Sequence, residues 1–274
     1  MTNRTIGILG CGWLGLPLAV ELNLDGYNVK GTTTSDEKLN ALAKKAINPY
    51  IIQVSEKGIE GNISEFLKDV EILIVTIPPA LRKNPNANYV QKIQQLCTEL
   101  KNTQLEKIIF ISSISVYGDQ EGEISEATMP KPKTASGKQL VQAENLLRNF
   151  KHTTIIRFGG LIGPNRHPVY HLSKKEKLDN GDELVNLIHL NDCIYMIKTI
   201  IEKEYWGELF NGVYPYHPTK KEYYIHEASL RGIDLTRLYE SSGDNVKKLI
   251  INKNFNSKNH FLNTSIASSF TTKK

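Results

Sequence analysis

A short apolar run, Thr5-Ile6-Gly7-Ile8-Leu9, passes directly into Gly10-Cys11-Gly12-Trp13-Leu14-Gly15 and emerges as an amphipathic pattern, Leu14, Leu16, Leu18, Val20, Leu22. A strand, a Gly-x-Gly-x-x-Gly turn and a helix in immediate succession constrain the chain more than any other feature. Gly10 permits the tight turn, Gly12 offers no side chain to obstruct a diphosphate, and Gly15 lets the helix pack closely on the strand. The unpaired N–H groups and positive dipole end of the helix then favour bound phosphates. Gly10, Gly12, Trp13, Leu14 and Gly15 are therefore predicted to hold a dinucleotide. A glycine-rich turn without a ligand is the plainer alternative.

The rest of the chain repeats this alternation. Strands are predicted at about 4–9, 27–33, 49–54, 71–77, 106–112 and 153–158, with helices at about 13–25, 36–46, 62–68, 88–102 and 134–150. Ile72-Leu73-Ile74-Val75 and Ile108-Ile109-Phe110-Ile111 are apolar at every position, as strands covered on both faces require. Six strands separated by helices specify an α/β fold, a doubly wound parallel sheet (Rossmann fold), over residues 1–158. Beyond 158 the alternation fails, and 159–274 reads as a small mixed substrate-side lobe: a helix at about 191–203, a short strand near 208–213 and a helix at about 219–231. In such sheets ligands bind outside the carboxyl ends of the strands. The long loops at 78–87 and 113–133 leave from those ends, and Ile77, Pro78, Ser112 and Phe158 are predicted around the ligand.

Charge and cysteine content exclude several classes. The net charge of +5 has a local origin: from Ser241 on, Lys247, Lys248, Lys253, Lys258, Lys273 and Lys274 face only Asp244. A solvated polar tail from about 241 explains this better than a nucleic-acid stripe. No stretch of about 18 apolar residues is present, and the first strand begins without a charged-then-apolar leader, so neither a membrane span nor a signal peptide is expected. Cys11, Cys97 and Cys193 are scattered, which fits a reducing cytoplasm and no metal site. The expected partner is a small molecule, with no nucleic acid and no membrane, and a homodimer is admitted.

The end of the second strand bears on the cofactor. An acidic side chain about 20 residues past the glycines usually binds the ribose of NAD. Here that position falls on Thr33, Thr34 and Ser35, followed by Lys38, and hydroxyls with a cation suit a 2′-phosphate better than a carboxylate would. Asp36 and Glu37 lie close behind, so NADP is favoured over NAD without exclusion of the latter.

Ile111-Ser112-Ser113-Ile114-Ser115-Val116-Tyr117-Gly118 resembles the Ser-Ser-x-x-Val-Tyr-Gly signature of extended short-chain dehydrogenases. Arg157 to Pro164 is similar to their Arg-x-x-x-x-Tyr-Gly-Pro segment with Ile162 in place of the tyrosine. Asn186 to Asp192 resembles their isoleucine-histidine-x-aspartate-aspartate stretch, and Phe210-Asn211 their aromatic-Asn pair. Gly12 to Gly15, Pro164 to Pro168 and His217 to Lys220 look most like the atypical, YeeZ-like branch. The resemblance covers about 1–232 and implies NAD(P)-dependent oxidoreductase or epimerase/dehydratase chemistry. It also implies a Tyr-x-x-x-Lys pair on the helix after strand five, whose tyrosine serves as acid/base. That helix reads Thr134-Ala135-Ser136-Gly137-Lys138-Gln139-Leu140-Val141-Gln142-Ala143-Glu144. Alignment on Glu144 puts Ser136 and Leu140 in the two slots, alignment on Lys138 puts Thr134 in the first, and neither supplies a phenol. Tyr170/Lys174 and Tyr216/Lys220 have the spacing but fall on later elements, as chance occurrences would.

Ser113 keeps the family's serine position and is the best-placed partner for a substrate oxygen. Ser136 and His167 complete the catalytic candidates. Tyr117, Arg166 and His189 are candidates for substrate binding: an arginine can clamp a carboxylate or phosphate bidentately, and a histidine titrates near neutrality. Two functions follow. The first is an oxidoreductase or epimerase acting on a small polar carbonyl or alcohol; the second is a non-catalytic NADP(H) redox sensor or scaffold.

Overall fold

The computed structural model describes residues 4–81, 84–178, 180–236 and 247–268. Positions 82–83 of the loop after strand four, and 241–246 and 269–274 of the basic tail, lie outside the described residues. The first half builds β1 (Thr5–Leu9), α1 (Gly15–Leu24), β2 (Asn28–Thr33), α2 (Asp36–Ala43), β3 (Asn48–Ile51), β4 (Gln53–Val54), β5 (Ile59–Glu60), α3 (Ile63–Leu67), β6 (Ile72–Val75) and α4 (Tyr89–Leu100). Then come β7 (Lys107–Ser113), a single 3₁₀ turn (Ile114–Tyr117), β8 (Gly122–Ile124), α5 (Ala135–Leu147), β9 (His152–Phe158), β10 (Gly160–Ile162), α6 (Val169–Leu172) and β11 (Leu187–His189). The chain closes with α7 (Leu190–Glu202), β12 (Leu209–Gly212), α8 (Lys220–Ser229), β13 (Lys248–Ile250) and α9 (Lys253–Asn256).

Seven strands pair in parallel in the order β12-β9-β7-β6-β1-β2-β3. The continuously apolar strands divide their side chains between two cores. Ile72 and Ile74 join Ile6, Ile8, Leu18 and Ile197 on the face covered by α1 and α7. Leu73 and Val75 join Phe66, Ile93, Leu96 and Ala143 on the face covered by α3, α4 and α5. Side chains alternate along a strand, so a run apolar at every position is what two covered faces demand. Chain order reverses between β1 and β6, whose ends are registered Leu9 to Val75. A crevice must open there at the carboxyl edge.

The strand expected near 208–213 does not belong to a separate lobe. β12 pairs with β9 along Leu209↔Ile155 to Gly212↔Phe158 and completes the large sheet, and α7 packs in the same core as α1. The reason lies in β9, where Thr153 to Phe158 are buried throughout and need a neighbour on their outer side. What stands apart after 158 is smaller: β10 with β11, α6, α8 and a cluster of Ile162, Val169, Leu187, Tyr223, Tyr224 and Ile266. Among the described residues, no helix is long and apolar enough to cross a membrane.

A buried polar chain ties α5 to the sheet. Arg157 of β9 meets Glu144 of α5 through two bonds, Nε to Oε1 at 3.0 Å and Nη2 to Oε2 at 2.6 Å, and Ser112 Oγ donates to the same carboxylate at 2.6 Å. Arg157 and Glu144 are 3 % and 1 % exposed. Removing one partner of such a pair strands the other charge away from water. Glu144→Ala is therefore expected to cost about 3–5 kcal/mol of unfolding free energy, read from urea titration; a cost below about 1 kcal/mol would show that the pair is dispensable.

Candidate functional site

The crevice between β1 and β6 is a cavity of about 560 Å³, floored by the residues from Leu9 to Gly15. The bend is held rigidly. Gly10 adopts φ +109°, its N–H donates to Thr32 Oγ1 at 2.8 Å, and its carbonyl accepts from Thr76 Oγ1 at 2.6 Å. The next N–H, of Cys11, donates to the Thr32 carbonyl at 2.8 Å. The other two glycines differ in kind. A Cβ on Gly15 would lie 2.2 Å from the Gly10 oxygen, so only glycine lets α1 sit this close to the turn. A Cβ on Gly12 would meet nothing within 4 Å and would project into open space. That opening at the head of α1 suits a diphosphate, the fit the glycine pattern predicts. Cys11 is packed below the turn against Gly31, and burial pushes its thiol up to about 12, so it stays protonated.

Of the residues predicted to hold the cofactor, Gly10, Gly12, Trp13, Leu14, Gly15, Thr33, Thr34, Lys38, Ile77, Pro78 and Ser112 all line the cavity. Ser35 stands outside it at the N-cap of α2, its N–H donating to Thr33 Oγ1. Phe158 is not at the cavity. Its ring fills the core against Gly212, where an added Cβ would come within 2.4 Å of it. Lys38, Lys92 and Arg166 line the cavity and no carboxylate does so among the described residues. Asp36 and Glu37 are exposed on α2 away from it.

Ser113 also lines the cavity. Its Oγ accepts the Ser115 N–H at 3.2 Å, which fixes the oxygen at the head of the 3₁₀ turn and leaves its own hydrogen to donate. The remaining catalytic candidates do not join it. Ser136 is half-buried in the first turn of α5 and does not reach the cavity. Leu140, one turn on, does line it, while Lys138 is exposed.

His167 is sealed into the small lobe. Its Nδ1 accepts the Val169 N–H, and its Nε2 lies 3.1 Å from Tyr223 Oη and 3.6 Å from Glu227 Oε2. Tyr223 donates onward to the Ile266 carbonyl, so His167 is the donor to the tyrosine and is neutral. Burial pushes its pKa down to about 4, with Arg231 acting in the same direction and Glu227 against it.

The substrate candidates separate likewise. Tyr117 is wholly buried beneath the Arg157 guanidinium, 4.9 Å from its ring, and donates to Asn211 Oδ1 at 2.8 Å. It holds β7 to β12 and touches no ligand space. His189 caps α7, its Nδ1 accepting the Asn191 N–H, and Asp192 in the first turn accepts from Asn263 and Thr264 of the C-terminal segment. Their motif anchors chain segments here. Arg166 alone reaches the cavity, with its guanidinium 4.8 Å from the Trp13 ring. Tyr170 and Tyr216 are exposed, outside the cavity.

Thr76, Tyr89 and Lys92 are among the cavity residues that escaped the sequence reading. Thr76 clamps Gly10, and Tyr89 donates to the Ile77 carbonyl at 2.8 Å from the start of α4. Lys92 lies one turn after Tyr89 and one before Leu96, a cation beside the apolar stripe of α4, and that misfit was the available signal. A broader depression of about 700 Å³ opens between α3 and residues 99–107, at the amino edge of the sheet.

Comparison with known proteins places this fold. Residues 6–211 match the model of the NAD dependent epimerase/dehydratase family. The chain is similar to protein YeeZ of Escherichia coli (strain K12), 33% identical over 251 residues, which cover 90% of this chain and 91% of the relative. Among solved structures it is similar to UDP-glucuronic acid 4-epimerase from Bacillus cereus in complex with UDP-glucuronic acid and NAD. The TM-score is 0.77 at 21% identity, covering 97% of this chain and 95% of that one. UDP-glucose 4-epimerase from Thermotoga maritima, solved with UDP-glucose, superposes at a TM-score of 0.77 and 17% identity, covering 96% and 95%. At these identities the structures speak for the fold alone.

Two measurements check the geometry. Gly15→Ala is expected to lose about 1–3 kcal/mol of stability through the forced contact with Gly10, whereas Gly12→Ala changes it by less than about 0.5 kcal/mol. Equal effects in denaturant titrations would refute the distinction. His167 binds no proton in the fold until pH nears 4, while in the unfolded chain it titrates near 6.5. The unfolded state therefore takes up more protons between these values, so stability is complete above about 6.5 and falls toward pH 4, by as much as about 3 kcal/mol. His167→Gln should flatten that part of the stability profile.

Proposed function

The chain belongs to the NAD dependent epimerase/dehydratase family, and on that premise we propose that it binds NADP(H) in the β1/β6 cavity and performs hydride chemistry on a small polar alcohol or carbonyl. One observation carries the cofactor choice: three cations and no carboxylate among the described residues line the cavity, with Thr33, Thr34 and Lys38 grouped where the second strand ends. A ribose diol would call for an acidic partner there; a 2′-phosphate calls for hydroxyls and an ammonium. The B. cereus epimerase was solved with NAD, so the preference for NADP is a reading of this chain's own side chains.

When bound, the nicotinamide supplies or accepts the hydride. Ser113 donates a hydrogen bond to the substrate oxygen and orients it; on the carbonyl its hydrogen polarises the C=O, and on the alcohol its oxygen receives the O–H. Neither Ser136 nor His167 reaches the cavity, so the proton is exchanged with a water inside the cavity rather than with either side chain. Ile77, Pro78, Ile111 and Leu161 give the cavity an apolar wall that excludes bulk water from the reacting centre.

Leu140 favours a second reading. It lines the cavity, and with the helix aligned on Glu144 it takes the place of the family's lysine, an alignment that leaves no lysine of α5 to hold the ribose or lower the pKa of a proton donor. A protein that reports NADP(H) occupancy to a partner without turnover needs neither. The two readings part on turnover. NADP(H) is expected to bind at least tenfold more tightly than NAD(H) by calorimetry, and Lys38→Ala to erase most of the difference; tenfold tighter binding of NAD would end the NADP assignment. Across a panel of small carbonyls, NADPH oxidation lost in Ser113→Ala supports the enzyme. Thermal stabilisation by NADPH with no turnover on any of them supports the sensor.

A further inference from the structure

A smaller cavity, of about 200 Å³, shares no lining residue with the β1/β6 crevice. Ser113 lines the crevice and the next residue, Ile114, lines this cavity, so the head of the 3₁₀ turn touches both. The walls are apolar at Ile114, Val185 and Leu187 and charged at Asp119, Glu183, Lys220 and Lys248. Those charges differ in their partners. Lys220 pairs with Glu183, and Lys133, from outside the cavity, pairs with Asp119 at 2.9 Å. Lys248 of β13 has no carboxylate within ion-pair distance among the described residues. Its ammonium donates to a neutral acceptor, the Gly118 carbonyl, at 2.6 Å. An ammonium has three hydrogens, which leaves two without an acceptor among the described residues. The backbone holds this lysine in place: Lys248 is registered with Gly122 of β8, and its carbonyl accepts Asn186 Nδ2 at 2.9 Å. It is half-buried, and burial pushes its pKa down, with Asp119 and Glu183 acting against that and Lys220 adding to it. A cation withdrawn from water without a counter-charge calls for one.

We propose that this cavity binds a small carboxylate, with Lys248 as its counter-ion. Lys133 and Lys220 are each matched by an acidic side chain, so one positive charge remains, and one negative charge balances it. A phosphate dianion would overshoot that balance and meet Asp119 and Glu183 as like charges. The two spare ammonium hydrogens suit the two oxygens of a carboxylate. Ile114, Val185 and Leu187 then receive a short carbon chain, and the volume limits the occupant to an acid of a few carbons. The inference goes beyond the cofactor reading, because the site and its ligand are separate from the crevice. It meets that reading at one point: Ile114 follows Ser113, so an acid seated here lies beside the turn that presents the Ser113 hydroxyl.

The test sets acids against their uncharged amides. Calorimetry is run on the full chain, with and without NADPH, using glycolate against glycolamide, butyrate against butyramide, and inorganic phosphate. At least one acid is expected to bind about tenfold or more tightly than its amide, and phosphate more weakly than that acid. Lys248→Met should erase the preference and Lys248→Arg restore part of it, with NADPH affinity within about twofold in both variants as the check that the fold is intact. Acids and amides binding alike, no acid binding at all, phosphate binding more tightly, or a preference that survives Lys248→Met each overturns the site. NADPH oxidation with small 2-oxo acids then distinguishes two sources of the carboxylate. Turnover that suffers in KM more than in kcat in Lys248→Met marks the occupant as substrate. Acids that alter NADPH oxidation on other carbonyls without being consumed mark it as an effector, and either result supports the site. Acid binding by a chain that binds no NADPH would leave this site standing and remove the cofactor reading; NADPH binding without acid binding does the reverse.

Discussion

The contact between Gly10 and Gly15 organises the molecule. The Gly10 carbonyl touches the place where any other residue at 15 would carry its Cβ, and the same carbonyl accepts the Thr76 hydroxyl. One oxygen thus sets how near α1 comes to β1 and joins the end of β6 to the bend. The Thr32 hydroxyl on the Gly10 N–H adds β2 from the other side. Three adjacent strands therefore converge on two peptide groups, and the opening at Gly12, whose own N–H donates to the Gly10 carbonyl at 2.7 Å, is rigid before any ligand arrives. A preorganised site avoids the ordering cost that a flexible glycine loop would meet on binding.

A second constraint lies on the far side of the sheet. Ser112, Glu144 and Arg157, with Tyr117 under the guanidinium and Asn211 beyond it, form a buried polar chain from α5 to β12. Glu126 extends it by accepting the Asn211 N–H and the N–H groups of Lys253 and Asn254. The family motifs that contain Tyr117, Arg157 and Asn211 thus serve in this chain to fix strands in register. Such a chain is stable only when nearly every member is satisfied. Of these residues only Ser112 also lines the cavity.

Much of the fold was legible because it follows from periodicity. The continuously apolar strands could only be covered on both faces, and the glycine spacing could only precede a helix. The cavity was legible where backbone geometry decides it, from Gly10 to Gly15 and at the end of β2. Side-chain assignments made by motif position fared differently. Phe158, Tyr117 and His167 have the right residue types at the right spacing, yet each has its polar or aromatic atoms consumed by a neighbour distant in sequence, Gly212, Asn211 and Tyr223, while His189 is spent locally as the cap of the helix it starts. No pattern within a segment reports a partner 50 or 90 residues away. The same limit hid where β12 belongs: the strand near 208–213 was expected, but its membership in the large sheet is decided by the uncovered side of β9.

That late strand has a consequence for how the chain comes into being. The amino-terminal domain is not finished when residue 158 leaves the ribosome; its outermost strand arrives only after β10, α6, β11 and α7 have been made. During that interval β9 presents a bare row of amides and carbonyls, the kind of border that recruits stray chains. α7 emerges immediately before β12 and docks on the same face as α1, so it can deliver the closing strand to its berth. Vectorial synthesis, helix docking and edge protection are in this way coupled in one short stretch, Leu190 to Gly212.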